Sequence, residues 1–105
     1  MKRRVVVTGI GAISPIGNDA KTMWSNALNG VNGIDFIKRY DTEGQDIKIA
    51  GEIKDFDFEG FFGKKQLKRM ERFVQVGLVA TKEAVEDSGI VFADEDTDRV
   101  GVYYG

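Results

Sequence analysis

The 105 residues contain no cysteine and no histidine. The first absence excludes disulfides, thiolate nucleophiles and cysteine metal sites. The second removes the commonest general base near neutral pH and the commonest transition-metal ligand. Proline occurs once, at Pro15, so no proline-rich linker divides the chain. Long apolar runs are also missing. Val5, Val6 and Val7 follow a basic lead of Lys2, Arg3 and Arg4, and Thr8, Gly9 and Gly11 soon interrupt them. That is too short for a secretory h-region or a membrane span, and the cytoplasm is the expected location. An excess of one charge sign is lacking too: fifteen basic against seventeen acidic residues give a net charge of -2. Neither nucleic acid nor an anionic membrane is expected as a partner of the molecule as a whole.

What is present is ordinary for one small globular unit, with 42% hydrophobic and 30% charged residues. Val5 to Ile10 is β-branched and apolar without alternation, the pattern of a strand buried on both faces. Asn18 or Asp19 can cap a helix running to about Leu28, with Met23, Trp24, Ala27 and Leu28 as its apolar stripe and Asn29-Gly30 as its stop. Residues 31–45 read as polar and irregular. Ile47, Ile49 and Ile53 then alternate with Lys48 and Glu52, as in a half-exposed edge strand or hairpin. The strongest helix spans about Met70 to Ser88. Phe73, Val76, Gly77, Ala80 and Ala84 form its inner face, and Gly77 there predicts close approach of another element. Lys82 and Glu86 pair on the outer side. Val100 to Tyr104 reads as a second buried strand. Two such strands need sheet neighbours and helices on both faces, more than 105 residues supply, so the chain is expected to be part of a larger α/β enzyme.

Four groupings invite a chemical reading. Gly9-Ile10-Gly11 after a strand resembles a dinucleotide-binding turn, which places a helix N-terminus against a pyrophosphate. Ser14 stands where the third glycine belongs, and Pro15, Gly17 and Asn18 delay the helix; a plain strand-to-loop turn fits better. Lys64, Lys65, Lys68, Arg69 and Arg72 gather five of the fifteen basic residues within nine positions. At 3–4 spacing a helical turn would put Lys65, Lys68, Arg69 and Arg72 on one face, suited to an acidic protein surface or a phosphate. A solvated helix start explains the same charges, and a non-catalytic binding module is a further alternative. Phe56, Phe58, Phe61 and Phe62 suit packing better than base stacking. Asp94, Glu95, Asp96 and Asp98 lack the spacing of a calcium loop and read as a solvated turn.

Taken in order, the segments resemble a known family. Lys2 to Gly11, then Ser14-Pro15-Ile16-Gly17-Asn18, is similar to the opening of the β-ketoacyl-acyl-carrier-protein synthases, and most resembles their synthase II branch in bacterial fatty-acid synthesis. Trp24, Gly33-Ile34, Phe36, Tyr40-Asp41-Thr42, Ala50-Gly51, Lys54-Asp55-Phe56, Lys65, Met70, Asp87-Ser88-Gly89 and Arg99-Val100-Gly101 extend the likeness along essentially the whole chain. The resemblance implies an α/β thiolase-like fold of two similar halves, each with a mixed five-stranded sheet between helices, in a homodimer. Residues 1–105 would be the N-terminal segment of the first half, with Val5–Ile10 and Val100–Tyr104 as adjacent strands.

It also implies the reaction. An acyl chain passes from a carrier protein's thiol to an enzyme cysteine. Malonyl-carrier protein then loses CO₂, and its carbanion attacks the thioester. The family's cysteine and two histidines are expected downstream of Gly105, so no catalytic residue and no metal ligand is assigned within this chain. The implied partner is acyl carrier protein. No cofactor of the enzyme's own is implied, since the phosphopantetheine arm travels on the carrier. Lys65, Lys68 and Arg69 fall where synthase II carries basic docking residues, with arginine and lysine exchanged at the last two positions. The charge is kept while the hydrogen-bonding geometry differs.

Overall fold

The computed structural model describes all 105 residues. The first helix, α1, spans Ala20–Leu28 and begins where its cap is strongest. Asp19 is extended, and its carboxylate accepts from the Thr22 N–H at 2.7 Å and the Thr22 hydroxyl at 2.9 Å. One of the backbone N–H groups that a helix start leaves unpartnered is thereby satisfied. The helix ends at Asn29, and Gly30 follows with φ 67°.

A short antiparallel hairpin comes next. Strand β1, Ile34–Phe36, pairs with β2, Ile49–Gly51, in the register Ile34↔Gly51, Asp35↔Ala50 and Phe36↔Ile49. The alternating isoleucines thus form an edge hairpin as expected, although the ladder is shorter than residues 47–53. β1 lies inside a stretch expected to be irregular. Three residues are too few to display a period of two, and β2 supplies the hydrogen bonds that define the strand.

Two short helices, α2 (Phe58–Phe62) and α3 (Lys64–Leu67), are separated by Gly63 at φ 79°. The phenylalanines pack on one another, Phe56 on Phe58 at 4.6 Å and Phe61 on Phe62 at 4.7 Å between ring centroids. The longest helix, α4, spans Arg72–Ser88 and ends on Gly89 in the left-handed conformation. Its buried Gln75 donates to the carbonyls of Met70, at 3.0 Å, and Leu67, at 3.3 Å. That side chain therefore ties α4 to the end of α3. Short 3₁₀ turns at Phe92–Asp94 and Thr97–Arg99 complete the regular structure.

The two expected apolar strands do not form a sheet. Residues 5–10 and 100–104 lie outside every strand, and no ladder joins them. β-Branched sequence favours an extended chain, but a strand also needs a neighbour's N–H and C=O groups, and none lies alongside. These segments instead lean on α4. Gly9 and Gly11 approach the backbone of Ala80, Ala84 and Ser88. Tyr104 sets its ring against Gly77 and its hydroxyl on the Gly77 carbonyl at 2.8 Å. The close approach expected at Gly77 is present, with a ring as the packing element. Val5, Val7, Val102 and Tyr103 stay exposed, and so do Trp24 and Leu28 from the α1 stripe. Phe58, Gln75 and Val79 are the buried residues.

Candidate functional site

Two of the four groupings, the glycine loop and the basic turn, are treated differently by the structure. The glycine loop is closed by the chain's own acids. Ile10 N–H donates to Asp87 at 2.9 Å. One oxygen of Glu83 accepts from Ala12 N–H at 3.0 Å, and the other accepts from Ala20 N–H at 2.8 Å. Ala20 opens α1, so Glu83 occupies the helix N-terminus where a phosphate would have to bind. Both glycines are needed for contact with α4, since a Cβ on either would overlap its backbone. The loop is a packing joint, with the Ile10 and Ala12 donors taken up and negative charge beside them.

Lys54 braces the same joint from the other side. Its ammonium donates to the carbonyls of Gly33 at 2.9 Å and of Pro15 and Glu52 at 3.2 Å. Asn18 returns a bond from its side-chain amide to the Lys54 carbonyl at 2.8 Å. In the sequence Asp87 stands out only within the family-like helix end Asp87-Ser88-Gly89, and Glu83 carries no assigned role. The available signal was an acid repeated at i,i+4 on the helix face that also carries Ala80 and Ala84.

The basic turn, by contrast, is open. Lys65 lies in α3, Lys68 is its C-cap, and Arg69 follows with its N–H on the Gln66 carbonyl at 3.0 Å. All three side chains are exposed, and none has a carboxylate within 4.0 Å. Lys64 approaches Glu59 at 3.8 Å in a solvent-exposed contact of little energetic weight. Gln75 fixes the backbone beneath the turn, so the cations project from an anchored element. Arg72 departs from the expected single face. It belongs to α4, across the break at Met70 and Glu71, and its guanidinium stacks on Phe58 at 3.7 Å from the ring centroid. Burial, and then the charge of Arg39, hold its pKa below the usual arginine value.

Comparison with known proteins decides the family. The sequence model of the β-ketoacyl synthase N-terminal domain matches residues 2–105. The chain belongs to the β-ketoacyl synthase family. The 3-oxoacyl-[acyl-carrier-protein] synthase 2 of Staphylococcus aureus (strain N315) is 53% identical over 103 residues, covering 98% of this chain and 25% of its own length. That of Synechocystis sp. is 42% identical over 104 residues, 99% of this chain and 25% of its own. Among solved structures, the ishigamide ketosynthase/chain length factor superposes with a TM-score of 0.78 at 35% identity, covering 90% of this chain and 23% of that one. This β-ketoacyl synthase chain therefore has the α/β architecture of the N-terminal part of a thiolase-like fold, of the synthase II type. It spans about a quarter of the length of the relatives it matches.

Proposed function

We propose that this chain is the carrier-docking N-terminal part of a β-ketoacyl-acyl-carrier-protein synthase, a homodimeric acyltransferase of the cytoplasm that extends fatty acids by decarboxylating condensation. One observation carries the docking assignment: Lys65, Lys68 and Arg69 stand exposed and unpaired on a single anchored turn of an otherwise acidic chain. Such a turn offers long-range attraction to an acidic protein and speeds its encounter. The condensation calls for a thiolate nucleophile, and this chain has no cysteine or histidine to supply or activate one. Its contribution is to receive acyl carrier protein, whose phosphopantetheine arm delivers the acyl and malonyl groups as substrates.

The test is the double variant K65E/R69E in the whole synthase. Turnover of carrier-protein substrates should fall at least tenfold in kcat/KM at low ionic strength, and the loss should shrink as salt rises. Small acyl and malonyl thioesters, which bring no protein surface, should react as with the wild type. A proportional loss on both substrate types would make the residues structural and end the docking assignment.

A further inference from the structure

The cationic surface continues past the α3 turn. Arg72 opens α4 with its guanidinium held on the buried Phe58 ring. Arg39, just beyond β1, stands near enough for its charge to act on Arg72. Both arginines line an open cavity of about 320 Å³ beside the β1–β2 hairpin, and both line the adjoining one of about 520 Å³. Neither has a carboxylate within 4.0 Å.

The acids in the cavity wall are committed or out of reach. Glu52 accepts the N–H groups of Lys38 at 2.8 Å and Arg39 at 3.1 Å. Asp35 accepts from Phe36 N–H at 2.7 Å. Asp55 lines the wall and pairs with neither guanidinium. Two like charges sharing a partly desolvated cavity, with no carboxylate paired to either guanidinium, raise the free energy of the empty site, and an entering anion relieves it. The wall carries four cationic side chains against three carboxylates. That balance suits a singly charged carboxylate better than a phosphate dianion. A guanidinium fork also matches a carboxylate with two parallel hydrogen bonds.

We propose that Arg39 and Arg72 receive an acidic side chain of the same protein that docks on Lys65, Lys68 and Arg69, as a second contact. The inference rests on the docking reading above. Arg69 and Arg72 are three residues apart, about 11 Å at most along the chain, so one acidic surface can reach both. The Phe58 stack holds one of the two forks in place before binding, which reduces the rotamer entropy lost on contact.

The test measures acyl carrier protein binding to the whole synthase by calorimetry, at low and high ionic strength, for R39E, R72K and K65E/R69E. Arg39 is exposed, and its side chain makes no hydrogen bond or ion pair in this structure, so R39E should not lower the Tm. It should bind at least tenfold more weakly at low salt, with a smaller deficit at high salt. R72K keeps a cation over Phe58 but loses the fork, and should bind several-fold more weakly. If R39E binds as wild type while K65E/R69E is impaired, the second contact is refuted and the docking reading survives. If K65E/R69E also binds as wild type, both fall. A lowered Tm in R39E with unchanged binding would place the missing carboxylate within the protein itself and overturn the proposal.

Discussion

Gly11 lies so close to the Ala80 carbonyl of α4 that a side chain at position 11 would overlap it. Across this contact the loop and the long helix meet backbone to backbone, and Glu83 and Asp87, on the next turns of α4, reach over to hold the loop's N–H groups.

Gly11→Ala should therefore destabilise the whole protein by about 1–3 kcal/mol, because the added methyl meets peptide backbone and not a movable side chain. Gly44→Ala is the control. It has a positive φ but open space around it, so only the backbone term of about 1–2 kcal/mol applies. Urea denaturation of the two variants would compare steric overlap with backbone strain. Equal small losses at both positions would mean that the loop can lift off α4.

Glu83→Ala should release the loop from the start of α1. Each N–H that loses its partner weakens the joint by up to about 1.5 kcal/mol, and less where water can replace the oxygen. Hydrogen exchange is the direct readout: the amides of Ala12 and Ala20 should exchange faster, while the Val79 amide in mid-helix keeps its protection. Unchanged exchange at both amides would remove Glu83 from the joint.

The Asp19 cap gives a pH dependence of known sign. Hydrogen bonds from the Thr22 N–H and hydroxyl hold its pKa below the ordinary value of 3.8. A carboxylate with a depressed folded-state pKa stabilises above its unfolded value and loses that contribution as pH falls through the folded one. Acidification below 3.8 should thus fray the first turn of α1, seen as loss of protection at Thr22. Asp19→Ala should show the frayed turn at neutral pH and no further change at that site on acidification.

The 105 residues studied as an isolated polypeptide should melt broadly and associate. Few side chains are buried, and Val5, Val7, Val102 and Tyr103 remain in water, leaving little apolar burial to offset chain entropy. Sedimentation and calorimetry over a concentration range would check this. A sharp, concentration-independent monomer transition would contradict it. Carbon-dioxide release from malonyl-carrier protein by the same polypeptide should remain at background, since no cysteine or histidine is present.

Local chemistry made much of this legible beforehand. Asp19 announces the start of α1, Gly89 closes α4, and alternating isoleucines mark β2, because each signal acts within a few residues. Lys65, Lys68 and Arg69 were readable as a charge cluster, since exposed like charges need no distant partner to be recognised. The features that sequence left dark depend on separation along the chain. Val5 and Val102 show strand composition but cannot reveal which backbone will pair with them. Arg72 looked like a member of the basic face until the break at Met70 and Glu71 turned it onto Phe58. Glu83 looked like any helix acid, and its task depends on backbone N–H groups 71 and 63 residues away.

The ammonium of Lys54 spends its hydrogen bonds on the carbonyls of three separate segments. An amine so engaged is held inside the junction and must leave its carbonyls before it can meet a reagent in solution. Amine-directed reagents should consequently modify it after the lysines that project into water. Its labelling rate becomes a chemical clock for the junction: protection at Lys54 reports that the loop at Pro15, the turn at Gly33 and the hairpin edge at Glu52 are still assembled. Sudden reactivity would report that they have come apart, even while α4 retains its helical signal.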